Sequence, residues 1–161
     1  MTLAVTLARP EDADTVIDLL EDAARWLLAR GVDQWHPGQW KREKVNRAIA
    51  EREVFLAHEA GDLVGTITLQ WADTSLWPDD GASGYVHRLA VHDASHGRGI
   101  GRDLLAWAER EVAARGRFLL RLDCACANSR LRRYYEQLGF TCRGDRHLGP
   151  FCASLFEKRI V

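Results

Sequence analysis

The chain has 161 residues, of which 47% are apolar and 28% charged, and its formal net charge is −1. This length predicts one domain with its own hydrophobic core, and the near-neutral charge gives no footprint for a nucleic-acid partner. Arg9, Pro10 and the acids Glu11, Asp12 and Asp14 interrupt the start of the chain, and no apolar run reaches the ~18 residues of a membrane span, so neither a signal peptide nor a membrane segment is expected.

Residues 2–8 alternate weakly and read as a strand. A helix follows over 11–30, with Val16, Leu19, Leu20, Ala23, Leu27 and Leu28 at helical spacing, acids in its first turn and Gly31 as its stop. A Trp-rich loop, 32–40, leads to a second helix over 40–51. Residues 53–59 and 63–71 are strands joined by the turn Ala60-Gly61-Asp62. A polar loop over 72–83 precedes a fourth strand, 84–92, along which Tyr85, His87, Leu89 and Val91 share one face. The third helix runs from Arg98 to Arg115-Gly116, with Ile100, Leu104, Leu105, Ala108 and Val112 as its buried stripe. A strand over 117–124, a helix over 128–138 ended by Gly139, and strands over 140–146 and 151–159 complete the order β-α-α-β-β-β-α-β-α-β-β. The central βαβ unit makes strands four and five parallel, and the flanks favour antiparallel pairing, which predicts a mixed α/β sheet with helices on both faces.

His96-Gly97-Arg98-Gly99-Ile100-Gly101 lies between a strand and an amphipathic helix. Free N–H groups at a helix start, together with its dipole, suit phosphate oxygens, and glycines let a ligand approach the backbone. Arg98 and Arg102 add charge. A P-loop is absent, because no Gly-Lys-Ser/Thr follows. A dinucleotide fingerprint fits poorly, because Arg102 stands where its third glycine belongs, although Asp123 lies where a ribose-binding acid would fall. By itself the turn also fits a structural role with no ligand. The cysteines Cys124, Cys126, Cys142 and Cys152 include no Cys-x-x-Cys pair, so they fit neither a disulfide framework nor a zinc site. They read as reduced core fillers in a cytoplasmic protein.

Gly99 and Gly101 match the Gln/Arg-x-x-Gly-x-Gly/Ala signature after strand four, with His96 in the Gln/Arg place. Asn128, Tyr135, Gly139 and Phe140 match the family's Asn-x-x-Ala-x-x-hydrophobic-Tyr-x-x-x-Gly-Phe, with Leu131 replacing its alanine. On these residues and on the element order, nearly the whole chain resembles the GCN5-related N-acetyltransferase (GNAT) superfamily. The resemblance implies an acyl-CoA N-acyltransferase fold, with about seven strands, four helices and a split between strands four and five, and a single domain over 1–161. It implies acetyl-CoA as cosubstrate. Backbone groups of Leu89, Ala90 and Val91 would pair with pantetheine, amides of Gly97, Arg98, Gly99, Ile100, Gly101 and Arg102 would hold the pyrophosphate, and Asn128 and Tyr135 would contact the arm.

Acyl transfer to an amine needs a neutral amine, a stabilised oxyanion and a protonated leaving thiolate. The family motif makes Tyr135 the acid, although a core aromatic also fits. His87 is the base candidate, because imidazole titrates near neutrality; a histidine that only lines the cleft is the alternative. The backbone N–H near Leu89 is the oxyanion donor by resemblance. Asn128 also suits a helix N-cap. Trp35, His36, Trp71 and Tyr85 are the candidate acceptor contacts, and the acids Asp33, Asp73, Asp79 and Asp80 near them suit a cationic amine. No metal is expected. The leading reading is acetyl transfer to a small primary amine in a ternary complex. Acetylation of a protein amine and a non-catalytic acyl-CoA sensor stay open. Family members are often dimers, so a homodimer is expected as well.

Overall fold

The computed structural model describes residues 2–160. Its elements follow the order read from the sequence: β1 (Leu3–Leu7), α1 (Ala13–Ala29), α2 (Arg42–Ala50), β2 (Val54–Glu59), β3 (Asp62–Gln70), β4 (Ser83–Val91), α3 (Ile100–Ala114), β5 (Leu119–Ala125), α4 (Ser129–Gln137), β6 (Thr141–Leu148) and β7 (Phe151–Arg159). The seven strands make one mixed sheet in the order β1-β2-β3-β4-β5-β7-β6. β4 and β5 are parallel, while β1–β2, β2–β3, β5–β7 and β6–β7 are antiparallel. This is the mixed sheet with four helices that the sequence predicts. Among the described residues no helix is long and apolar enough to cross a membrane.

The chain divides into two compact units. The first runs up to Leu69 and takes in Arg88–Leu105. Helical spacing puts Val16, Leu19, Leu20 and Ala23 of α1 on one face, and these residues pack with Val45, Ala48 and Ile49 of α2, Val54 and Leu56 of β2, and Ala90. β3 and β4 approach closely at Gly65, where a Cβ would stand 2.7 Å from the Ala90 carbonyl oxygen.

The second unit comprises Gln70–His87 and the chain from Ala106 on. Here β5 pairs with β7 along its whole length. β6 forms the outer edge; it is exposed along almost all its length, and its ladder with β7 is irregular between Cys142 and Gly144. The β4–β5 ladder is short, with Ser83, Gly84 and Tyr85 opposite Leu119, Leu120 and Arg121. At its end the Arg121 guanidinium is nine-tenths buried. It bonds Glu157 at 2.8 Å and the Tyr85 hydroxyl at 3.1 Å, pairs with Asp80 at 2.9 Å, and lies 4.5 Å from the centre of the Trp77 ring. The segment after β3, expected as a polar loop, therefore folds inward. Leu76 and Trp77 join Tyr85, Ala153 and Leu155 in a core cluster, with the Trp77 indole face toward the Arg121 guanidinium offsetting part of the hydration that the cation loses on burial. Replacing Arg121 with Ala would leave Asp80 and Glu157 without that cation. The expected loss is about 3–5 kcal/mol, read as a lower denaturation midpoint with an unchanged denaturant slope.

Candidate active site

In the first unit, β4 leads into the turn that opens α3. Gly97 and Gly99 have φ of +80° and +79°, a region where a side chain costs about 1–2 kcal/mol. The first bond of α3 runs from the Asp103 N–H to the Gly99 carbonyl, 3.0 Å. The amides of Ile100, Gly101 and Arg102 therefore begin the helix with no carbonyl a turn behind them, at the positive end of the dipole. Such a cradle receives anions. The Arg98 side chain is paired with Glu59 of β2, which directs its charge back into the fold. Arg102 stays largely exposed and folds over Gly99, where a Cβ would stand 2.9 Å from its guanidinium. His96 stacks flat on Trp26 of α1, with ring centres 4.3 Å apart, and Arg30 lies 3.8 Å from the centre of the same Trp26 ring. Burial pushes the His96 imidazole below its ordinary pKa, and the Arg30 charge reinforces this against the pull of Asp93.

The alternation expected along β4 stops at His87. Arg88 has φ of +49°, a left-handed conformation that no pleated strand carries through. Its guanidinium is 5.7 Å from the Trp40 ring centre and feels the Glu53 charge. Leu89, Ala90 and Val91, the expected pantetheine contacts, follow this kink.

In the second unit, His87 lies between two carboxylates. Its Nε2 is 3.0 Å from Asp73 Oδ2, and its Nδ1 is 3.8 Å from Asp123 Oδ1. The Asp73 side chain is 8% exposed, that of Asp123 18% and that of His87 25%. Ser75 donates to the other Asp73 oxygen at 2.6 Å. Burial works to raise Asp73, but its interactions with His87 and Ser75 and the Leu76 N–H outweigh that and hold its carboxyl below the usual range. Asp123 goes the other way: burial pushes it up, His87 pulls it back, and the Asp73 charge raises it again. Cys124, next on β5, has its thiol pushed up to about 12, first by burial and then by Asp123, so it is a poor nucleophile. Tyr135 of α4 is buried against Phe140 and Phe156, with ring centres 5.8 and 5.6 Å away. Burial, with Cys124 and Asp123 nearby, raises its phenol and keeps the proton on it. Asn128 caps α4, its Oδ1 accepting from the Leu131 N–H at 3.2 Å.

The expected acceptor residues fall in different surroundings. In the first unit Trp35 packs against the core and meets Trp40 edge to face, while His36 is exposed and bonds Asp33 at 2.7 Å. In the second unit Trp71 carries Arg115 and Arg117 at 4.1 and 5.3 Å. Tyr85 is 1% exposed, with its hydroxyl accepting from Arg121. The sequence reading did not join Asp73 and Asp123 to His87. The signal is the parallel register: with Tyr85 opposite Arg121, the same spacing of two residues brings His87 and Asp123 onto one face.

The family model described as the acetyltransferase (GNAT) family matches residues 17–140. The chain is 34% identical to the uncharacterized N-acetyltransferase YesJ of Bacillus subtilis (strain 168), over 94% of this chain and 87% of that protein. It is similar to the crystal structure of a GNAT-family acetyltransferase from Listeria monocytogenes, with 30% identity and a TM-score of 0.82 over 98% of this chain and 94% of that one. The fold also matches yncA of Salmonella typhimurium, determined with its cofactor acetyl-CoA, at 17% identity and a TM-score of 0.72 over 100% and 95% of the two chains.

The cysteines correct the sequence reading. Cys126 and Cys152 form a disulfide, with Cα atoms 5.4 Å apart, while Cys124 and Cys142 are free. Residues 26 apart in the chain meet because the antiparallel β5–β7 ladder brings the end of one strand to the start of the other, which no local spacing rule detects. In denaturant without reductant, a thiol assay is expected to find two free thiols per chain, and four after reduction.

Proposed function

Since the chain belongs to the acetyltransferase (GNAT) family, we propose that it transfers the acetyl group of acetyl-CoA to a primary amine of a small molecule, by direct attack in a ternary complex. The observation that carries the reading is the turn at the start of α3, where two glycines of positive φ and the unpaired amides of a helix start fit a pyrophosphate. In this reading Gly97, Arg98, Gly99, Ile100, Gly101 and Arg102 contribute backbone amides, and the exposed Arg102 side chain adds charge. Backbone groups of Leu89, Ala90 and Val91 take the pantetheine, and Asn128 meets the arm beside its capping role. Acetyl-CoA supplies the thioester.

His87 takes the proton that makes the amine nucleophilic. The Leu89 N–H faces the oxygen on which charge develops. Tyr135, whose surroundings keep its proton in place, gives that proton to the departing sulfur. Trp35 and His36 keep surface for an acceptor, whereas Trp71 and Tyr85 act through the residues that hold them. No covalent enzyme intermediate is needed, in keeping with the protonated Cys124.

Thiol release from acetyl-CoA, measured across amines, amino acids, polyamines and peptides, tests the reading; transfer to peptides alone would reject the small-molecule acceptor. Tyr135→Phe is expected to lower kcat at least about tenfold while leaving CoA affinity within about twofold. Undiminished turnover would remove Tyr135 from the chemistry. His87→Ala should abolish most activity near pH 7 and recover towards pH 10, as more of the free alkylamine becomes neutral without help. A constant ratio to wild type across pH would count against the base role.

A further inference from the structure

We propose that Cys126, Cys152, Asp145 and His147 form a structural zinc site, filled once the Cys126–Cys152 disulfide is reduced. The site stands apart from the acetyl-transfer reading.

Strand register is the first argument. β7 lies between β5 and β6. Ala125 stands opposite Ala153 at the end of the β5–β7 ladder, and one residue further on the Cys126 N–H donates to the Cys152 carbonyl at 3.0 Å. On the other side of β7, His147 stands opposite Cys152, and Asp145 opposite Ser154. Strand alternation puts the side chains of Cys126, Cys152, Ser154, Asp145 and His147 on one face of the sheet. The Sγ atoms of Cys126 and Cys152 and a carboxylate oxygen of Asp145 already lie within 4.8 Å of one another. Directly opposed residues have Cβ atoms about 4.5–5.5 Å apart, so the His147 imidazole reaches the same point.

Donor chemistry is the second. Two sulfurs, an imidazole and a carboxylate suit zinc, at tetrahedral bond lengths of about 2.0–2.3 Å that put ligand atoms about 3.3–3.8 Å apart. Calcium and magnesium take oxygen ligands instead. Four protein ligands close the shell, so the metal fastens strands and does not activate water. The carboxylate is oriented in advance: Asp145 Oδ1 accepts from the hydroxyl of the fully buried Ser154 at 2.7 Å, which leaves Oδ2 for the metal. Two thiolates and a carboxylate carry one more charge than zinc answers. Arg132, which donates to the Cys126 carbonyl at 3.2 Å, brings the balancing positive charge.

Access is the third. Cys126 and Cys152 are half-buried, and Asp145 and His147 are exposed, so reductant and metal both reach the pair from solvent. Cys124 is fully buried and holds its proton, and Cys142 stands opposite Phe156, farther along β7. A dithiol supplies the electrons. One of its thiolates attacks a sulfur of the pair and forms a mixed disulfide; its second thiol then displaces the cysteine, leaving a cyclic disulfide and two cysteine thiols. Zinc replaces the two thiol protons, which pass to water. Disulfide and zinc are thus alternative fastenings for the end of β5, two residues before the Asn128 cap of α4.

The test is a metal titration of the full chain after reduction with a phosphine, which leaves no competing thiol. Cobalt(II) is the probe, followed by zinc. Reduced wild type is expected to bind a single cobalt with tetrahedral d–d absorption and thiolate charge transfer. Zinc should displace it and raise the melting temperature, and the oxidised chain should show neither effect. Cys126→Ser and Cys152→Ser should abolish the tetrahedral spectrum, while Cys142→Ser keeps it. Asp145→Asn and His147→Ala, both at exposed positions, should each weaken zinc about tenfold or more. Far-UV circular dichroism of the reduced variants separates lost ligation from lost fold. Equal cobalt binding by the reduced and oxidised chains would overturn the proposal. So would a tetrahedral spectrum in Cys126→Ser, its loss in Cys142→Ser, or an unchanged zinc affinity in Asp145→Asn or His147→Ala.

Discussion

A guanidinium can be buried only with its charge answered, and in the second unit that requirement falls on Arg121. Its partners come from the β3–β4 segment, from β4 and from β7: Asp80, Tyr85 and Glu157. One side chain therefore fixes the height of β4 against β5 at the last pair of their parallel ladder. His87 and Asp123 stand one side-chain repeat beyond that pair. Their approach to 3.8 Å follows from a register that Arg121 holds in place. The same anchor draws in the segment that carries Asp73, whose own position is then set by Ser75 and the buried Leu76 and Trp77.

In the first unit the phosphate-type turn is held from outside its own backbone. Glu59 takes the side chain of Arg98, and Trp26 takes the ring of His96. Both charges that the sequence offers ahead of the helix are thus turned away from the cradle: one is paired, and the other is kept neutral by burial. What faces a ligand is the set of helix-start amides together with Arg102. That arrangement explains why histidine is compatible with position 96 of the motif, since there it packs and does not bind.

The fold was readable because one periodicity, repeated in α1 and α3, marks its helices. The 3.6-residue spacing of Val16, Leu19, Leu20 and Ala23 and of Ile100, Leu104, Leu105 and Ala108, with glycines at the breaks, leaves little choice of element order. The glycine turn was readable for the same local reason. What escaped was set by pairing in space. No composition rule marks Arg88 as left-handed, because arginine reaches that conformation only when its surroundings hold it there. Tyr85 reads from the sequence as an acceptor contact, but Arg121, 36 residues further along, claims its hydroxyl. Asp123 gained meaning only once β5 lay beside β4. The disulfide needed the β5–β7 ladder.

The outer strand has a consequence of its own. An exposed edge presents a row of backbone donors and acceptors that can recruit a strand from another molecule and begin aggregation. β6 carries two of the usual deterrents. Its ladder is broken at Cys142–Gly144, which spoils the flat template, and Arg143, Asp145 and Arg146 stand exposed along it. A foreign strand docking there would have to cover charge and follow a bend. The sheet can thus end in the open without inviting fibres.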